Sequence, residues 1–320
     1  MSALLPALCA ACPQENARSD NSDFDSNAIE GKEFYLRRYK EVSMTAQADK
    51  KEDKVIMNDY FAGRKLYGDD FSSDEIVEWF ADEEEGFANL GAKNRESYCY
   101  EYHGLNRLHG FNHLPPGRYN HALSIGGAYG EELRPFLPNI NVITILEPSG
   151  AFFVKDLDGV PLHYIKPLAS GIMPFDNDTF DLATCFGCLH HIPNVTTVLG
   201  ELYRCLKPNG FALVREPIIS MGDWRHVRRG LTKRERGIPL SVFRQILSHV
   251  GFSIAEETRC CFSLTPRLGR LFKGHTYNSS VAVRIDQFLA RLFTSNYRYH
   301  PTSSCQKLIP TAAAFVLHKD

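Results

Sequence analysis

The chain carries almost no charge imbalance: 36 basic and 38 acidic side chains leave a formal net charge of −2 over 320 residues. A generic nucleic-acid binder is disfavoured, because such proteins show a basic surplus or patch. Long apolar runs are missing too. None approaches the roughly 18 residues needed to cross a bilayer, so no integral membrane segment is expected. The short apolar run 4–12 has no basic flank and is short for a secretory signal. Cysteine is modest and odd in number, nine in all, in a chain too large to need stapling, so reduced thiols and a cytoplasmic location are expected. Cys185 and Cys188 form a CxxC with no second ligand pair, so no metal is expected. Internal repeats and low-complexity tracts are absent.

What remains is the composition of an ordinary globular protein, 43% hydrophobic and 23% charged. The length suits one large α/β domain, or one domain with a helical appendage. Residues 1–32 are polar and without periodicity, and read as a disordered tail. Residues 33–115 read as a helical lid region. There Ser72 and Glu75 are spaced as a capping box ahead of Ile76, Trp79 and Phe80. The stretch 69–85 holds nine acidic residues and no basic one. It reads either as a solvated helix face or as an electrostatic partner for a basic loop further on.

From about 116 to 320 the pattern becomes alternating. Short apolar runs at 121–125, 141–146, 162–166, 180–186, 210–215, 252–256 and 311–318 make seven expected strands. Stretches such as 195–206 and 240–250 are long enough for crossover helices. Strands alternating with helices imply a doubly wound, parallel α/β sheet. The last run follows a long connection, 264–310, which suggests a cap insertion before an antiparallel edge strand. Within it Val281, Ile285, Phe288, Leu289, Leu292 and Phe293 fall at helical spacing beside Arg284 and Arg291. That pattern fits a cap helix over the site or a helix lying on a membrane surface.

The segment ALSIGGAYGEEL (122–133) follows the first expected strand. Gly126, Gly127 and Gly130 allow a sharp turn and close approach of a ligand, and a following helix start offers free N–H groups. About 20 residues on, Glu147 ends the second strand, where an acid can accept hydrogen bonds from ribose hydroxyls. Loop and acid together point to a nucleoside-containing ligand, which admits a nicotinamide cofactor as well as others.

The stretches MPFDNDTFDLATCFGCLHHI (173–192) and LGELYRCLKPNGFALV (199–214) resemble the class I S-adenosylmethionine-dependent methyltransferases, near the group called type 11. The resemblance covers roughly 120–260 and argues against a nicotinamide oxidoreductase. It implies a Rossmann-like seven-stranded sheet and S-adenosylmethionine as cofactor. Gly126, Gly127 and Gly130 would lie along the cofactor, Glu147 would hold the ribose, and Cys185 and Phe186 would line the methionine end. Ser124 replaces the acid that usually opens the glycine motif, and Ala128 stands where its middle glycine often sits. The segment 166–171 lacks the family's carboxylate near adenine, so main chain around Leu168 and Ala169 would serve there.

His190 and His191 follow the fourth expected strand and are candidate general bases, with Glu216 after the fifth as a third. Arg225, Arg228 and Arg229 belong to a basic loop with Lys233, Arg234 and Arg236. They would clamp an anionic acceptor or pair with the acidic stretch 69–85. Tyr102 and His103 are expected on the lid, beside substrate. The implied activity is methyl transfer to an oxygen of a small-molecule or saccharide acceptor. The alternative is a non-catalytic S-adenosylmethionine- or nucleoside-binding protein that keeps the fold.

Overall fold

The computed structural model describes residues 57–90, 95, 98–269 and 275–320; the expected tail, 1–32, lies outside them. Largely apolar runs form β1 (Tyr119–Ile125), β2 (Ile140–Leu146), β4 (Val160–Ile165), β5 (Phe180–Phe186) and β6 (Leu206–Pro217). They pair in parallel in the order β4-β2-β1-β5-β6. In β1 and β2 the four residues nearest the carboxyl end are all buried, as expected where both faces of a parallel sheet are covered.

Two features depart from the expected seven strands. A two-residue strand β3 (Asp156–Leu157) forms a hairpin with β4, so the sheet has eight strands. Its turn is Asp158–Gly159, both with positive φ (50° and 87°), the dipeptide that favours a tight hairpin. At the other end β7 (Ser253–Phe262) forms the edge. β8 (Pro310–His318) is antiparallel, yet it inserts between β6 and β7 rather than forming the edge itself. Its run Pro-Thr-Ala-Ala-Ala-Phe-Val-Leu-His is buried along most of its length, which an interior strand requires.

Between β1 and β2 the chain makes a 3₁₀ segment, Glu131–Asn139, with Pro135 and Pro138 inside it; proline lacks the N–H that an α-helix interior needs. Here α1 denotes Ser73–Leu90, α2 His103–His109, α3 Val195–Cys205, α4 Leu240–Val250 and α5 Ser280–Leu292. On one sheet face α3 and α4 bury Val198, Leu199, Leu202, Phe243 and Leu247 against Leu123, Phe180, Val214 and Phe315. The other face is covered by Phe111, Leu114, Leu133 and Leu137. The sequence order leaves β1 toward β2 on one side and β5 on the other. This is the reversal that opens a crevice at the strands' carboxyl ends.

Candidate active site

At that reversal lies a cleft enclosing about 1040 Å³ of space, mouth included. Gly126, Glu147, Leu168, Ala169 and His191 line it, joined by Cys188, Met173, Phe80, Glu83 and Glu84. Gly126 has φ +66° and donates its N–H to the Leu146 carbonyl at 2.8 Å. A Cβ there would stand 2.5 Å from Cys188 Sγ, so the glycine is required both by its backbone and by its neighbour. Glu147 is buried; its Oε2 accepts from Ala128 N and its Oε1 from Ser149 N, both at 3.1 Å. Burial pushes this carboxyl up, against those two N–H groups. Ala128 adopts φ +47°, the left-handed conformation a glycine takes without strain, at a cost of roughly 1–2 kcal/mol for alanine.

Gly127 and Gly130 do not line the cleft. A Cβ at Gly127 would collide with Ser124 Oγ at 1.9 Å, while Gly130, with φ +73°, caps the 3₁₀ segment. Buried Glu132 accepts a hydrogen bond from the Ser124 hydroxyl. Burial pushes the Glu132 carboxyl up to about 7, despite that hydrogen bond.

The opposite wall is the turn after β5. Glu216 is fully buried and gathers this turn. Its Oε1 accepts from Cys188 N (2.8 Å) and Leu189 N (2.9 Å), and its Oε2 from His190 N (3.3 Å) and His190 Nδ1 (2.8 Å). The other side of the His190 ring meets Glu235, Nε2 to Oε1 at 3.5 Å. Burial opposes a charge on His190, but the two carboxylates outweigh it and push its pKa up to about 9. Glu235 is correspondingly drawn down to about 2, against its own burial. His190 and Glu216 are thus enclosed and do not line the cleft.

His191, the next residue, does line it. Its Nδ1 lies 2.7 Å from Glu83 Oε2. Burial first, and then the charge on His190, lower its pKa; the two rings are 4.1 Å apart. Glu83 comes from α1, whose first turn is closed by the reciprocal Ser72–Glu75 box. The same carboxylate accepts from Thr232 Oγ1 at 2.6 Å and from Arg234 N at 3.0 Å. Trp79, fully buried, donates Nε1–H to the His191 carbonyl at 2.7 Å.

The acidic stretch and the basic loop meet directly: Arg234 with Asp82 (2.6 Å) and Glu78 (2.5 Å), Lys233 with Asp82 (2.8 Å). Arg236 is buried beside them. It donates to the carbonyls of Tyr67, Leu189 and Ile192 at 2.7–3.1 Å, and burial brings its pKa down to about 10. Arg225 is paired with Asp223, and Arg228 donates to the carbonyls of Met221, Thr232 and Glu235. Arg229 is exposed. None of the three lines the cleft, and neither do Tyr102 and His103. Tyr102 stacks on Tyr277 beneath the Arg215 guanidinium, and His103 N donates to Asn278. Cys185 is sealed in the core, and Phe186 packs toward Phe111 on the other sheet face.

Among the described residues, one group could offer a metal three ligand atoms within 4.8 Å: His190, His191 and Glu235. Its His190–Glu235 contact is already an ion pair. Glu83 and Cys188 were not singled out from the sequence as site residues. The acid run and the CxxC were their only signals.

Residues 123–214 match the family model described as a methyltransferase domain. Similar solved structures include a putative methyltransferase of Bacillus halodurans, at 15% identity over 67% of this chain and 96% of that one (TM-score 0.44). An S-adenosylmethionine-dependent methyltransferase of Mesorhizobium loti is 16% identical over 65% and 94% (TM-score 0.44). A phosphoethanolamine N-methyltransferase of Haemonchus contortus, solved with S-adenosylhomocysteine, is 16% identical over 68% and 52% (TM-score 0.45). No curated protein matches. Over residues 123–214, under a third of its length, the chain resembles the class I S-adenosylmethionine-dependent methyltransferases. S-adenosylmethionine is the cofactor that this class implies.

Proposed function

We propose that the protein transfers a methyl group from S-adenosylmethionine to a hydroxyl of a small-molecule or saccharide acceptor, with His191 receiving the acceptor's proton. The observation that carries this reading is that His191 lines the same cleft as Gly126 and Glu147. The residues present suit the cofactor. Glu147 offers a buried carboxylate for two ribose hydroxyls, the backbone at Gly126 has no Cβ to bar close approach, and Leu168 and Ala169 flank the region assigned to adenine. When bound, the cofactor supplies an electrophilic methyl on a positively charged sulfur, which keeps the bonding electrons on transfer.

The chain's own work is to align the acceptor and accept its proton. A base must be unprotonated before the reaction, and both burial and the neighbouring His190 charge keep His191 neutral. The Glu83 carboxylate beside Nδ1 favours the tautomer with the N–H there, and it stabilises the imidazolium once formed. His190 and Glu216, enclosed with each other, are assigned to shaping the turn. No lysine or arginine lines the cleft among the described residues, which favours a neutral acceptor such as a sugar hydroxyl over an anion. The cysteines described are free thiols, in keeping with a cytoplasmic location.

The test is incubation with methyl-labelled S-adenosylmethionine and pooled metabolite and saccharide acceptors, with mass identification of the product. His191→Ala should abolish label transfer while leaving cofactor binding intact. Labelled product at the parent rate from that variant would remove His191 from the chemistry. Transfer only to carboxylates or phosphates would overturn the neutral acceptor.

A further inference from the structure

Among its described residues, the segment 264–310 does not line the cleft. Its helix α5 packs on β7, β8 and α2. The inward side of α5 is set by Val283, Asp286 and Ala290, all buried. Asp286 anchors the helix by accepting from the backbone N–H groups of Cys261 and Phe262 on β7, each at 2.8 Å. With Asp286 turned inward, the outer side of α5 carries no acid.

That outer side is apolar. Val281, Ile285, Phe288 and Leu292 are 67%, 51%, 65% and 61% exposed. At 3.6 residues per turn these four positions fall within a stripe about 60° wide. Arg284 and Arg291, both exposed, lie along one flank of the stripe. Four large hydrophobic side chains on adjacent turns, each more than half in water, are not the scattered singles of an ordinary surface. A basic flank beside an outward apolar stripe is the pattern of a helix lying in a bilayer interface. There the apolar residues enter the acyl boundary and the arginines meet anionic headgroups. No helix among the described residues is long and apolar enough to cross a membrane, so the fit is to a surface and not to a span.

We propose that the outer face of α5 docks the protein reversibly on an anionic lipid surface, through Val281, Ile285, Phe288 and Leu292 with Arg284 and Arg291. The charge of the flank chooses this occupant. A neutral or cationic surface leaves both guanidinium groups without partners, while an anionic headgroup layer engages them as the stripe is buried.

The experiment is co-sedimentation of the full chain with phosphatidylcholine vesicles, with and without phosphatidylserine. Binding is expected only with phosphatidylserine and should weaken as salt rises. The double variant Phe288→Ser/Leu292→Ser should lose detectable binding. Arg284→Gln/Arg291→Gln should bind roughly tenfold more weakly or worse. All four positions are exposed, so melting temperatures should match the parent, and cofactor titration on each variant separates surface docking from the integrity of the cleft. Absence of the parent from phosphatidylserine vesicles would overturn the proposal. So would equal binding by Phe288→Ser/Leu292→Ser. A concentration-dependent dimer in light scattering, abolished by the same substitutions, would overturn it in favour of a second copy on the stripe.

Discussion

On the β1–β2 side of the cleft, one carboxylate, Glu147, is held by two backbone N–H groups from residues close in sequence. On the β5 side a web of charges binds α1, the turn after β5 and the basic loop, through contacts such as Glu83–His191 and Arg234–Asp82. The first wall needs backbone shape and little else. The second needs several charged groups buried together, each stable only while its partner is in place. Recognition of a shared cofactor suits the first construction, and a tuned proton acceptor suits the second.

The largest effect expected on the first wall comes from Gly126→Val. Its Cβ would meet Cys188 Sγ, and a β-branched residue resists φ +66°. Cofactor binding should fall below detection in calorimetry, with melting as the control for folding. A variant that binds within tenfold of the parent would show that the cofactor does not pass close to this loop. Glu147→Ala comes next. Loss of hydrogen bonds to a charged acceptor is worth roughly 1.5–3 kcal/mol, so affinity should fall about 10- to 100-fold.

The second wall should respond in rate and titration and leave cofactor affinity alone. Glu83→Gln should lower the rate of transfer about tenfold or more. It should also drop the His191 pKa further below the ordinary 6.5 by removing the carboxylate that favours imidazolium. Nitrogen-15 correlation spectra report both that titration and the ring tautomer. An unchanged tautomer and titration would show that Glu83 does not position His191.

His190 links the same wall to pH. Its folded pKa of about 9 lies above the ordinary 6.5, so the protonated ring stabilises the fold. That contribution is fully present below pH 6.5 and is lost as pH rises toward 9. Its size is on the order of 3 kcal/mol at most. Denaturant titrations of the parent should lose stability across that window, and His190→Gln should be flatter there. Smallest of all, Arg234→Ala removes half-shielded ion pairs with Asp82 and Glu78. It should cost about 1 kcal/mol of stability, shrinking at high salt.

Much of the first wall was legible because its signals are local. The glycine loop, Glu147 and the strand alternation can each be read within a few dozen residues. The hairpin turn Asp158–Gly159 was equally local and equally readable, yet two residues of strand are too short for periodicity to reveal. The position of β8 between β6 and β7 depends on which edges pair, which alternation does not encode. The second wall was half legible. The LHH run pointed to both histidines, but adjacent residues point different ways. Only packing shows His190 sealed between two carboxylates and His191 on the cleft. Glu83 lies 108 positions from its histidine, and an acidic run offers no clue to which member is buried. Arg236 looked like one of six basic loop residues, while the fold buries it under Trp79. Charge alone left that loop two partners, an anionic acceptor or the acidic stretch 69–85, and Lys233 and Arg234 pair with that stretch.

The most direct test of the cleft as a cofactor site is isothermal titration of S-adenosylmethionine into the parent and into Glu147→Ala under identical conditions. A single saturable site in the parent, weakened about 10- to 100-fold in the variant with melting unchanged, is the predicted result. No heat of binding in the parent, or equal affinity in a folded variant, would contradict it.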